Sequence, residues 1–170
     1  GRIAGLEMAQ LLGKDVKIDA SYHEKAEILK SRPGQVYDLP DVELTDTFQP
    51  VIRCDQEIPC NPCTSVCPVN AIELKDNLGN IMDIPVYTEN CTGCGLCVAI
   101  CPGLAITLAR KRGDNFAEVV IPYEYLPDFE KGDEISLSDK DGNYLGDAEV
   151  LKIRFLKKYK THLITVKVKL

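Results

Sequence analysis

The chain has 170 residues, with 20 Lys and Arg against 26 Asp and Glu, a formal charge of −6 and 45% hydrophobic residues. Such a composition excludes wholesale disorder, its acidic balance repels nucleic acid, and no run approaches the ~18 consecutive apolar residues that a membrane helix requires. No export-type leader pattern stands at the start, so a reducing, cytoplasmic setting is expected.

In residues 1–13, Ile3, Leu6, Met8, Leu11 and Leu12 recur at helical spacing, and Gly13 stands where a helix C-cap falls. Gly5 and Ala9 are four apart, which lets another backbone approach one side of this helix closely. Residues 22–31 predict a second short helix, ended by Arg32-Pro33-Gly34. Residues 35–50 carry Pro40, Pro50 and scattered acids and read as an extended linker lying across another surface. Residues 1–50 therefore form N-terminal helices and a docking linker.

All eight cysteines lie between positions 54 and 101, in two runs that each end in Cys-Pro. The second run is Cys91-x2-Cys94-x2-Cys97-x3-Cys101-Pro102, the spacing that wraps a chain around a cubane iron–sulfur cluster. The first is stretched to Cys54-x5-Cys60-x2-Cys63-x3-Cys67-Pro68, with Pro59 and Pro62 stiffening the loop. That insertion leaves three outcomes open: no effect, an exposed cluster, or a weak Cys54 ligand with a [3Fe–4S] cluster. The runs also repeat downstream, residues 66–74 aligning with residues 100–108, so each half predicts a cysteine loop, a helical turn and a short strand. Residues 76–80 (Asp-Asn-Leu-Gly-Asn) predict a hairpin turn between strands at 71–75 and 81–84. The cluster unit spans residues 51–112.

Disulfides and zinc are the competing uses of these thiols. A stapled secreted chain lacks such regular Cys-x2-Cys pairs, and four-cysteine zinc sites use separated pairs rather than triple runs ending in Cys-Pro. No His follows a Cys-x2-Cys pair, which removes covalent haem. Thr92, Gly93 and Gly95 leave room for amide–sulfur hydrogen bonds. Asp55 and Glu57 read as surface charges that make the adjacent cluster harder to reduce. His23 and His162 sit beside no nucleophile or acid pair and read as surface or capping residues. No catalytic constellation and no Gly-x-Gly-x-x-Gly fingerprint are visible.

Residues 113–170 predict a small β domain, a barrel or curled sheet: strands at 117–121, 134–138, 148–155 and 162–170, with a turn at 139–143 where Gly142 supplies positive φ. Residues 114–149 hold eleven acids against two Lys, whereas residues 151–170 hold seven Lys or Arg and no acid. That basic strand could meet an acidic neighbour, although such charges ordinarily only solvate a strand face. The fold class is α+β.

Residues 54–108 resemble the bacterial two-[4Fe–4S] ferredoxin module. A proline turns the chain outward after each fourth cysteine, and in two-cluster ferredoxins that cysteine ligates the other cluster. The resemblance thus implies Cys54, Cys60, Cys63 and Cys101 on one cluster, and Cys91, Cys94, Cys97 and Cys67 on the other. The wider layout is similar to the C-terminal part of flavin-containing amino-acid or amine dehydrogenase subunits: a Gly1-Arg2-Ile3-Ala4-Gly5-Leu6-Glu7-Met8-Ala9 helix, a cysteine-rich segment, Pro122-Tyr123-Glu124-Tyr125-Leu126-Pro127 and a small β domain. It implies an electron-transfer subunit between a flavoprotein dehydrogenase partner and an acceptor, with FAD on a separate chain or on a removed portion. The alternative is a free-standing ferredoxin-type carrier with an accessory β domain.

Overall fold

A computed structural model describes residues 1–31, 33–74, 81–139 and 141–170. The elements run α1 (Arg2–Leu11), α2 (Ala20–Ser31), β1 (Gln49–Ile52), α3 (Pro62–Val66), β2 (Ile72–Leu74), β3 (Pro85–Tyr87), α4 (Leu96–Ile100), β4 (Ile106–Arg112), β5 (Phe116–Tyr123), β6 (Glu134–Ser138), β7 (Tyr144–Leu156) and β8 (Thr161–Lys169). Among the described residues no helix is long and apolar enough to cross a membrane.

Helix α1 stops as its sequence requires. Gly13 takes φ +74°, its N–H donates to the Gln10 carbonyl at 2.9 Å, and the Lys14 N–H reaches back to Ala9 at 2.9 Å, which together form a Schellman cap. Helix α2 opens two residues earlier than its apolar pattern, because Asp19 Oδ1 accepts from the Ser21 N–H at 2.9 Å. Helix α1 buries no side chain, so Met8, Leu11 and Leu12 remain exposed.

Six strands form one antiparallel sheet in the order β1-β4-β5-β8-β7-β6, and β2 and β3 form a separate ribbon. The sheet is open rather than a barrel. Its edges are β1 with four residues and β6 with five, and short edge strands limit unwanted pairing without closure. Both boundaries expected at 50/51 and 112/113 fall inside this ladder: β1 contains Pro50 and Val51, and β4 continues through a tight turn into β5. The expected turn at 76–80 lies outside the described residues. Its hairpin differs in register, since β2 pairs with residues 85–87 rather than 81–84. Met82, Asp83 and Ile84 are buried instead, and Pro85 opens β3, a position where a missing donor is tolerated.

Alternation along the strands gives the sheet two unlike faces. On one, Ile106, Leu108, Val120 and Leu163 pack with Val98, Ala99 and Cys97 of the cysteine module. On the other, Ala148, Val150, Ile164 and Val166 form a second core, covered in part by Tyr123 and Phe129. The cysteine module is therefore seated on the sheet.

On the module-bearing face Glu118 accepts from Arg110 Nε at 2.8 Å and from Arg112 Nε at 2.7 Å. Burial alone would raise the Glu118 carboxyl, but these two guanidinium groups outweigh it and hold it below its ordinary value of 4.5. Glu118→Gln is expected to cost about 1.5–3 kcal/mol at pH 7. A lowered native value stabilises the fold above the unfolded-state pKa, and that contribution vanishes as pH falls through the native one. Urea midpoints of the wild type and Glu118→Gln, well separated at pH 7, should therefore converge below about pH 4.5.

Candidate iron–sulfur site

The two halves of the cysteine module repeat each other in backbone geometry. Cys63 sits in α3 and Cys97 in α4, while Cys67 (φ −72°, ψ 115°) and Cys101 (φ −69°, ψ 111°) end those helices in the same extended conformation. Three residues on, Asn70 (φ 51°) and Leu104 (φ 52°) both turn left-handed. That turn brings the Ala71 N–H to Cys67 Sγ at 3.2 Å and the Ala105 N–H to Cys101 Sγ at 3.3 Å. The Gly93 N–H reaches Cys91 Sγ at 3.4 Å, the amide–sulfur contact that small residues in this loop make possible. Amides aimed at sulfur stabilise thiolate charge.

The eight thiols fall into two electrostatic neighbourhoods. Cys54 is influenced by Cys101 and Cys60, and Cys63 by Cys101 and Cys54. Cys97 is influenced by Cys91, Cys94 and Cys67, and Cys91 by Cys94 and Cys67. Each neighbourhood takes three members from one run and one from the other. Cys67, Cys91, Cys94 and Cys97 also line one small cavity with Ile72 and Leu108. Among the described residues no three His, Cys, Asp or Glu side chains are grouped as they would be around a single metal ion. Ligands of a cubane sit on separate corners and do not converge on one point.

Burial pushes the Cys97 thiol up to about 12 and the Cys63 thiol up to about 11. Burial likewise raises Cys54 and Cys91, and Asp55 adds to the rise at Cys54. Thiols held this way favour the neutral form unless cationic iron takes the proton's place. Eight soft sulfur donors, two buried and six half-buried, three of them accepting from backbone amides, suit iron–sulfur clusters.

Sequence reasoning misplaced Glu57. It is buried rather than a surface charge, with Oε2 accepting from the Gln35 N–H at 3.0 Å and Oε1 from Tyr37 Oη at 2.5 Å. Two backbone bonds join the same segments, Glu57 N–H to Gln35 at 2.9 Å and Tyr37 N–H to Asp55 at 2.8 Å. The stretched Cys54–Cys60 spacer of the first run thus grips the linker. A carboxylate beside a cysteine gives no sequence sign of a backbone amide arriving from 22 residues away.

Arg154, Leu163, Phe48 and Thr161 were also missed. Arg154 Nη2 donates to the Cys94 carbonyl from β7, and the Thr161 hydroxyl lies 3.4 Å from the Ala99 carbonyl. At Gly95, where φ is +79°, a Cβ would stand 2.6 Å from Leu163 Cδ1 and 2.9 Å from Arg154 Nη2; at Gly93, where φ is +70°, it would stand 3.2 Å from Phe48 Cβ. The glycines were visible as cluster-loop residues, but the Gly95 partners, 59 and 68 positions downstream, were not. His162 packs on Phe155 at 4.6 Å, on the sheet face away from the module, and its buried Nδ1 has no hydrogen-bond partner among the described residues. His23 lies in α2, apart from the cysteines.

Fold and thiols together define a cysteine-ligated iron–sulfur protein. Residues 53–113 match the family model of the 4Fe-4S dicluster domain. Ferredoxin-type protein NapF of Haemophilus influenzae is 43% identical over 51 residues, which cover 30% of this chain and 29% of that protein. The polyferredoxin-like subunit of the aliphatic sulfonate oxidoreductase of Pyrococcus furiosus is 38% identical over 57 residues, 34% of this chain and 31% of that protein. Pyruvate synthase subunit PorD of Methanocaldococcus jannaschii is 34% identical over 65 residues, which cover 38% of this chain and 71% of that protein. The chain belongs to the 4Fe-4S dicluster ferredoxin family, and its cofactors are two [4Fe–4S] clusters. It spans less than a third of the NapF and polyferredoxin-like relatives, 29% and 31% of their lengths. No solved structure matches the chain.

Gly95→Ala is expected to lower stability by about 1–3 kcal/mol, because the new methyl meets Leu163 and strains a left-handed turn. Iron analysis should show partial loss from the 91–97 loop, with Gly93→Ala milder by the same assay.

Proposed function

We propose that this chain is an electron-transfer subunit that relays single electrons through its two clusters, between a flavoprotein dehydrogenase partner and an acceptor. Cys54, Cys60, Cys63 and Cys101 hold one cluster, and Cys91, Cys94, Cys97 and Cys67 hold the other. When bound, each cluster takes up and returns one electron. The observation that carries this reading is the exchange of one cysteine between the two thiol neighbourhoods. Sharing ligands ties the halves together and keeps the clusters close, as electron hopping requires.

The chain's own residues contribute shielding and polarisation. Apolar side chains exclude water from Cys63 and Cys97, and the amides of Ala71, Gly93 and Ala105 stabilise sulfur charge in both redox states. No residue here is assigned to substrate chemistry.

Two features favour a subunit over a free-standing carrier. Met8 and Leu11 of α1 and its C-cap residue Leu12 are exposed, as are Tyr125 and Leu126 at 76% and 86%. Several relatives carry names that make them components of larger oxidoreductases. The layout resemblance supplies the flavoprotein as partner, with FAD on that chain.

Iron, acid-labile sulfide and EPR on anaerobically purified protein test the cluster assignment. About eight irons and eight sulfides with spin-coupled reduced signals are expected; two zincs without sulfide would overturn it. Cys54→Ala should leave about seven irons and an oxidised [3Fe–4S] signal. For the partner, isolation of the native assembly should yield flavin on a second polypeptide, and a flavin-free monomer carrying all the redox activity would favour the independent carrier.

A further inference from the structure

Beside the 91–97 loop, on the module-bearing face of the sheet, lies a cavity of about 320 Å³. Its charged lining is Arg110, Lys152 and Arg154 against a single carboxylate, Glu118, and Thr165 and Gly93 complete its polar wall. Arg110 is neutralised by Glu118 at 2.5 Å. Among the described residues neither Lys152 nor Arg154 has a carboxylate partner. A protein of net charge −6 therefore turns two uncompensated cations into one pocket.

A specific irregularity of β7 puts them there. Val150 pairs with Val166, but Lys152 pairs with the next residue of β8, Thr165, so Leu151 is an extra residue that forms a β-bulge. By simple alternation Lys152 and Arg154 would follow Val150 onto the face of the second core. After the bulge they align with Thr165 and Leu163, on the face that carries the cysteine module. Arg154 also joins cavity to loop through its hydrogen bond to the Cys94 carbonyl.

We propose that this cavity binds a small oxyanion of the phosphate or carboxylate class, held by Lys152, Arg154 and Thr165, and that its occupancy is linked to the redox state of the cluster on the 91–97 loop. The inference rests on the cluster assignment above. One-electron reduction of that cluster adds one negative charge beside the cavity, so the oxidised protein binds the anion more tightly. Linkage is reciprocal, and the bound anion therefore lowers the potential of that cluster. The other cluster, held by a loop that does not line the cavity, is left unchanged.

The test uses inorganic phosphate on the cluster-loaded full chain, with sodium chloride of matched ionic strength as reference. EPR-monitored redox titration should show one cluster potential falling in phosphate while the other stays in place. A tenfold preference of phosphate for the oxidised protein corresponds to about 59 mV for this one-electron couple. Calorimetry should show the same preference between oxidised and reduced samples. Lys152→Gln, on an exposed side chain without contact to the loop, should keep full iron content and lose most of the shift. Arg154→Lys retains the cation and should keep part of it. Equal potentials in the two salts with eight irons present, or an unchanged shift in Lys152→Gln, would overturn the anion site alone. A wild type without iron would instead overturn the cluster reading, and the linkage with it.

Discussion

The seating of the 91–97 loop on the sheet is the constraint from which the other features follow. A loop that surrounds a cubane must keep its amides turned inward and its sulfurs buried, and so short a loop with two left-handed glycines cannot hold that shape alone. Here Leu163 fills the space beneath Gly95, Phe48 closes against Gly93, and Arg154 anchors the carbonyl between them. Buried Leu163 and Val120 continue directly into the shell around Cys97. The C-terminal strands are thus a foundation for the redox centre rather than an appended module.

The first cysteine run is held by a different device. Its insertion would loosen the loop if it were free, yet Glu57 and the backbone of Asp55 capture residues 35–37 and convert the extra length into a clasp. A buried carboxylate is costly without partners, and two donors satisfy this one. Through this clasp the linker is tied to Asp55 and Glu57, within three residues of Cys54.

The candidate site was legible because its information is local. Spacing of cysteines, the Cys-Pro endings and the repeat of residues 66–74 in residues 100–108 are short-range patterns, and they carry the helices, the extended cysteines and the paired left-handed turns at Asn70 and Leu104. Strands were legible too: alternation alone marks β6 at residues 134–138. What escaped is long-range. Period-two alternation says that a strand has two faces, but nothing in it says that Leu163 lies under a glycine 68 residues earlier. The bulge at Leu151 reverses the alternation partway along β7, so faces assigned from the pattern on one side are wrong on the other. Open sheet or barrel depends on whether the edges meet, which no single strand encodes. Glu57 reads as a solvent-facing acid until the linker is laid across it.

The order of strands in space also differs from their order of synthesis. β8 lies between β5 and β7 near the middle of the sheet, yet it follows all of the other described strands in the chain. As the chain emerges from the ribosome, all eight cysteines are exposed before Thr161 and Leu163 exist to receive the second loop. β5 and β7, separated by the whole of β6, cannot join until β8 enters between them. Such non-local closure is slow relative to hairpin formation. Cluster delivery therefore faces a window in which the thiols are available but their platform is unfinished. Maturation is best timed to follow the emergence of β8, when the central strand locks the platform and seals the sulfurs from oxidants.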